Sequence, residues 1–363
     1  MGAGLQTTLT ALNIYAYSVL QFVAQLLPPP DSWKEDEREA LRYLCPGPRG
    51  WIVPAVLHRA DILGLGSTML DVEHLSLAAR YRVALFENAF RGGLHVARRA
   101  RHLRHARLHS DHLDRVYTWS AWYSSAMVFH LEAAVAHFSQ LGWGPQALRS
   151  AIEQRLRSPQ ADPQTLETRV RTVWQRQARI VLSRTAPPTH LLFYRRRLDR
   201  WNIPLLRGHR VERFQGLMRR LRSLVPPRVL AAAVRTNFNG WCTQRRFGST
   251  APCMFGCTGS DCIEHYAFCP VVTEFMNGVL AGPGYPQGGH RLEEFLLLSK
   301  SADRYATGEL TARALCTAAV YLAHCRHRHT AGPSPTVDTL RQICTELARN
   351  HPCAHALAYA NPG

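Results

Sequence analysis

The sequence is short of the residues that most nucleic-acid enzymes need. It contains no Asp-Asp dipeptide, so the adjacent aspartates that hold two catalytic metal ions in a nucleic-acid polymerase are missing. It also has no P-loop, no His-Glu-x-x-His, no Gly-x-Ser-x-Gly, and no deaminase His-x-Glu paired with Pro-Cys-x-x-Cys, which excludes the commonest nucleotide, metalloprotease, hydrolase and deaminase chemistries. No repeat of solenoid period is present. Lysine is nearly absent: among 44 basic residues only Lys34 and Lys300 are lysines. Residues 2–30 carry no charge, yet Gln6, Thr7, Thr8, Thr10, Asn13, Gln21 and Gln25 interrupt the apolar run. With no basic stretch before it, this is neither a signal peptide nor a membrane span. We expect a buried or amphipathic helix, with Leu5, Leu9, Leu12, Val19, Phe22, Val23 and Leu26 on its apolar side, stopped by Pro28-Pro29-Pro30.

What is present is arginine. The net charge is +18 over 363 residues, and 46% of the chain is hydrophobic, so a folded protein with two or three domains carries a strong positive field. Such a field attracts polyanions, and the planar guanidinium fork suits phosphate. Fourteen arginines against Asp199 and Glu212 lie between Arg195 and Arg246, with Trp201, Phe214, Phe238, Trp241 and Phe247 interleaved. Arginine for the backbone and aromatic faces for unstacked bases is what single-stranded nucleic acid demands. Core packing is the competing role, favoured for Phe214 and Phe238 and evenly balanced for Trp241 and Phe247. We name Arg195, Arg196, Arg197, Arg219, Arg220, Arg235, Trp241, Arg245, Arg246 and Phe247 as candidate nucleic-acid contacts.

The block ends at a Cys-x3-Cys-x7-His-x3-Cys array, Cys253, Cys257, His265 and Cys269. Three soft thiolates and an imidazole close a tetrahedron around Zn2+, which imposes no geometry of its own. Gly256 lets the first pair turn back on itself, and His265 and Cys269 share a helical face. Cys262 lies on that same face and is an alternative third ligand; His265 gives the longer loop between pairs and is preferred. Ten cysteines, several grouped with histidine, fit metal in a reducing compartment better than a disulfide framework.

Helical spacing dominates elsewhere. Helices are expected after Asp31 to about Leu44, over 72–89, from Pro163 behind an Asp162 cap, over 292–298 and over 309–325. Residues 94–116 crowd Arg98, Arg99, Arg101, Arg104 and Arg107 with His102, His105, His109 and His112, a basic helix facing solvent or phosphate. The clusters His324 to His329 and Cys344, His351, Cys353 and His355 are too loose to assign. Acids after Cys269, among them Glu293, Glu294 and Glu309, form no carboxylate-plus-lysine nuclease pattern.

The string Cys-Ile-Glu-His-Tyr-Ala-Phe-Cys-Pro at 262–270, led by Arg235-Thr-Asn-Phe-Asn-Gly-Trp-Cys-Thr-Gln-Arg-Arg-Phe247, resembles the zinc-binding region C-terminal to the polymerase domain in non-LTR (LINE-type) retrotransposon reverse transcriptases. Residues 12–26 resemble the helix that follows the polymerase palm in these enzymes and opens their thumb-like region. The resemblance implies a mainly α protein: a thumb-like helical region (1–150), a basic helical connector (151–234), a small CCHC zinc knuckle (235–290) and a helical C-terminal tail (291–363). It further implies structural Zn2+, RNA template or target DNA as partners, a palm-bearing polymerase segment absent from this chain, no membrane, and a place in the nucleus or cytoplasm. On this expectation the chain is the nucleic-acid-binding part of an RNA-directed DNA polymerase with no catalytic centre of its own, as a truncated copy or one piece of a split gene. A host nucleic-acid-binding or protein-interaction module that kept the knuckle is the alternative.

Overall fold

The computed structural model describes residues 5–25, 27–48, 50–86, 129–156, 163–186, 189–201, 210–248, 251–280, 291–328 and 332–358. The basic stretch at 94–116, Asp162 and His329 lie outside them. The helices are α1 (Leu5–Ala11), a π-helical segment (Leu12–Tyr17), α2 (Ser18–Val23), α3 (Trp33–Leu44), α4 (Pro54–Leu57), α5 (Val72–Phe86), α6 (Pro145–Leu156), α7 (Pro163–Thr185), α8 (Thr189–Arg200), α9 (Arg210–Leu224), α10 (Pro227–Asn237), α11 (Ile263–Tyr266), α12 (Pro270–Val279), α13 (Arg291–Phe295), α14 (Thr307–Arg328), α15 (Val337–Ala348) and α16 (Ala354–Ala358). Among the described residues there is no β-strand, only an isolated antiparallel bridge between Pro252 and Ser260. The mainly α expectation holds. No described helix is long and apolar enough to cross a membrane.

Two compact units emerge, Met1–Thr10, Glu35–Met69 and Pro188–Gly363 in one, Ala11–Lys34 and Leu70–Pro187 in the other. In the unit that contains 188–363, α10 packs on α14.

In the unit that contains 70–187, α7 packs against both α5 and α6. Tyr81 and Phe138 stack with centroids 4.2 Å apart, and Trp174 tilts against Tyr81 at 5.5 Å. Tyr81 keeps its hydroxyl satisfied by donating to the Trp143 carbonyl at 3.0 Å, as a buried phenol must. The uncharged N-terminal stretch corrects one expectation: Val19, Phe22 and Val23 are 67%, 74% and 52% exposed, while Tyr17 and Ala24 are buried. The π segment explains the difference, since an i→i+5 turn inserts a residue and rotates every later side chain off the face that a regular helix would bury.

In the unit that contains 188–363, α14 is the central helix. Residues on all its sides are buried, from Leu310 through Leu315, Cys316 and Ala319 to Ala323 and His324, and a helix apolar all round is a core helix. Its alanines let α10, α12 and α15 approach closely. Tyr194, Phe214 and Phe238 form an aromatic cluster, with Tyr194 and Phe214 stacked at 4.0 Å. Phe214 and Phe238 are each 1% exposed, which settles both as core.

A candidate metal centre on a helical core

Local sequence builds the site in three short pieces. A hairpin comes first, closed by Cys253 N–H donating to the Gly259 carbonyl at 2.7 Å and Asp261 N–H to Ala251 at 3.0 Å. Gly256 turns it with φ of +80°, a conformation that glycine adopts without strain. The single turn α11 then carries His265, and Cys269 stands immediately before Pro270, the first residue of α12.

These pieces bring Cys253, Cys257, His265 and Cys269 together, with all four ligand atoms within 4.8 Å of one another. Cys269 Sγ lies 3.8 Å from Cys253 Sγ and 3.8 Å from Cys257 Sγ, and His265 Nε2 is 3.0 Å from Cys257 Sγ. The sulfur spacing matches the edge of a tetrahedron with metal–sulfur bonds of about 2.3 Å, which is about 3.8 Å. The quartet could therefore hold a metal ion; among the described residues it is the one such grouping of three or more ligands. The cysteines are free thiols. Hydrogen bonding from Cys253 holds the Cys269 thiol down at about 5, helped by backbone N–H groups of Val272 and Val271 at the start of α12. The same pairing, with burial, pushes Cys253 up. One sulfur of the pair is thus prepared as the thiolate that a metal requires.

Cys262 does another job. Its Sγ accepts the His265 N–H at 3.4 Å as the N-cap of α11, so it positions the histidine and is not grouped with the ligands. Gly259 has a steric role that spacing alone does not reveal. A Cβ there would lie 2.0 Å from His265 Cε1, so only glycine leaves room for the imidazole.

Behind the ligands sits a buried polar hub that sequence reading missed. The Asp261 carboxylate accepts from Gln244 N–H at 2.8 Å and Tyr266 hydroxyl at 2.5 Å, and faces His324 Nε2 at 3.2 Å. Asp261 is 2% exposed and His324 0%. Burial alone would raise the Asp261 pKa, but hydrogen bonds from His324, Tyr266 and Gln244 outweigh it and hold the carboxyl below its ordinary value. His324 belongs to the loose histidine cluster at the end of α14; the structure turns it inward onto a carboxylate.

The predicted nucleic-acid contacts divide sharply. Arg195, Arg196, Arg219 and Arg245 are exposed and Arg246 is half-buried. Arg245 pairs with Glu264 at 3.2 Å. Phe247 is 55% exposed, with the Arg328 guanidinium 4.9 Å from its ring centre. Four of the named residues have partners inside the fold. Trp241 is 0% exposed, packed against Tyr266, Tyr321 and His324, with its indole N–H given to Thr236; no ring face is left for a base. Arg197 is buried, donates to the Gly50 carbonyl and lies over Phe193. Arg220 donates to the carbonyls of Ala302 and Tyr305 and to Thr307. Arg235 covers Trp51 at 4.5 Å and donates to the Pro46 carbonyl at 2.8 Å. These three arginines hold backbone carbonyls elsewhere in the same unit.

No known family model, curated protein or solved structure matches the chain.

Two outcomes are expected. Elemental analysis should find about one metal ion per purified chain, lost from Cys253→Ser and Cys269→Ser, reduced in Gly259→Ala and retained in Cys262→Ser. Asp261→Asn should lower unfolding free energy in urea by about 3 kcal/mol at neutral pH, because it leaves buried donors short of a charged partner. Since the folded carboxyl titrates below its unfolded value near 4, the gap between wild type and variant should be constant above about pH 4 and close as pH falls further.

Proposed function

We propose that this chain is a nucleic-acid-binding portion of a non-LTR retrotransposon-type reverse transcriptase, with Zn2+ as the structural ion of its Cys3His knuckle. The observation that carries the reading is the knuckle with its approach. A Cys253, Cys257, His265, Cys269 quartet is followed by Pro270 and preceded by the exposed turn Gln244–Phe247 with Arg245 and Arg246. Zinc suits three thiolates and one imidazole, and a four-ligand site has no open position for substrate, so its contribution is folding energy. It ties a hairpin, a single helical turn and the start of α12 that would not hold together alone.

In this reading the exposed arginines meet phosphates. Arg195 and Arg196 on α8, Arg219 on α9 and Arg245 on the turn are the contacts, and RNA template or target DNA is the partner. Polymerisation needs a palm with paired aspartates, which this chain does not contain, so the role proposed is grip, not chemistry.

One observation favours a second reading. Arg197, Arg220 and Arg235 are committed to internal carbonyls, so part of the basic block serves the fold and the knuckle would then be a protein-interaction element.

Salt dependence separates the two. Phosphate binding predicts log K falling linearly with log salt at a slope of roughly 0.7 to 0.9 per contact. Removing Arg195, Arg196, Arg219 and Arg245 together should flatten that slope, whereas Arg220→Ala should lower stability and leave it in place. A titration that is flat for the unaltered chain would eliminate the nucleic-acid reading.

A further inference from the structure

The knuckle displays two phenylalanine rings that core packing does not explain. Phe247 is 55% exposed and Phe268 is 45% exposed, although neighbouring rings such as Phe255 and Tyr266 are buried at 4% and 0%. Each exposed ring has an arginine laid against it. Arg328, at the end of α14, stands 4.9 Å from the Phe247 centroid, and Arg291, at the start of α13, stands 6.0 Å from that of Phe268.

Both rings are fixed by their backbones to the metal site. Phe268 directly precedes the ligand Cys269, and its N–H donates to the carbonyl of the ligand His265 at 2.7 Å. Phe247 closes the 3-10 turn Gln244–Phe247, whose first N–H is held by the buried Asp261 carboxylate at 2.8 Å. A guanidinium set against a ring steadies its orientation. The result is two half-exposed rings beside arginines, with Arg245 65% exposed along the same turn as Phe247.

Building on the nucleic-acid reading, we propose that Phe247 and Phe268 are stacking platforms, each for one unpaired base, and that the knuckle therefore selects single-stranded over duplex nucleic acid. Charge alone does not discriminate between them, since both present phosphates. Rings do, because bases in a duplex are already stacked on one another, whereas those of a single strand are free to lie on an aromatic face. Phe247 stands within the arginine-aromatic pattern of the sequence; Phe268 lies outside it, inside the ligand array.

The test is binding of the metal-loaded full chain, by fluorescence anisotropy, to oligothymidine, to a duplex with the same number of phosphates, and to an abasic strand of the same length. The intact strand should bind tightest, with the abasic strand falling to the level of the duplex. Phe247→Leu and Phe268→Leu should each weaken strand binding roughly 5- to 150-fold, the range of one base–aromatic stack. Neither should change duplex affinity, salt slope or metal content. Equal affinity for intact and abasic strands, or leucine variants that bind the strand as well as wild type, would overturn the proposal and leave phosphate binding standing. Failure to bind any of the three probes would overturn both.

Discussion

The Asp261 carboxylate is the contact on which the unit containing residues 188–363 depends. It closes the hairpin and directly precedes Cys262, the α11 cap, and it collects three groups from three places: the backbone of the basic turn at Gln244, the α11 hydroxyl of Tyr266 and the α14 imidazole of His324. A buried carboxylate is tolerated only when its lone pairs are met in this way. Once they are met, the small Cys/His segment stops being an appendage. The helix that forms the centre of the unit, the loop that presents Arg245 and Phe247, and the turn that carries His265 are all fixed to one atom group. Trp241 packs over the same junction, against Tyr266 and His324, which excludes water and strengthens each hydrogen bond.

This arrangement explains why the basic block divides as it does. A chain with few strands and many helix-to-loop junctions leaves carbonyls to satisfy, and arginine, with five donors on a long stem, reaches them. Arg197, Arg220 and Arg235 serve that need, and Arg228 does so too, donating to the carbonyls of Glu346 and Leu347 at the end of α15. Arg195, Arg196, Arg219 and Arg245 face solvent. The positive field is therefore partly a by-product of fold construction and partly an exposed surface.

The metal quartet was legible in the sequence because its signal is local: ligand types at fixed spacing within one short segment survive any tertiary arrangement. Long helices were legible for the same reason, as with Pro163 at the start of α7 and the burial of Phe214 and Phe238. The rest was hidden by its range. His324 and Asp261 are 63 residues apart, and nothing in either neighbourhood announces the other. Trp241 sat in an arginine-rich stretch that reads as surface, yet Gly240 beside it allows Trp51 to close in, with room too small for a Cβ. A π segment at Leu12–Tyr17 turned the later side chains off the expected face, and no residue pattern marks where a helix takes an extra residue. The choice between His265 and Cys262 needed the cap geometry of α11, since both lie at helical spacing from Cys269.

X-ray absorption at the zinc edge on the purified protein tests the central claim most directly. A first shell of three sulfurs at about 2.3 Å and one nitrogen at about 2.0 Å is expected. A shell of four sulfurs would place Cys262 on the metal, and the absence of zinc would remove the knuckle altogether; either result contradicts the account.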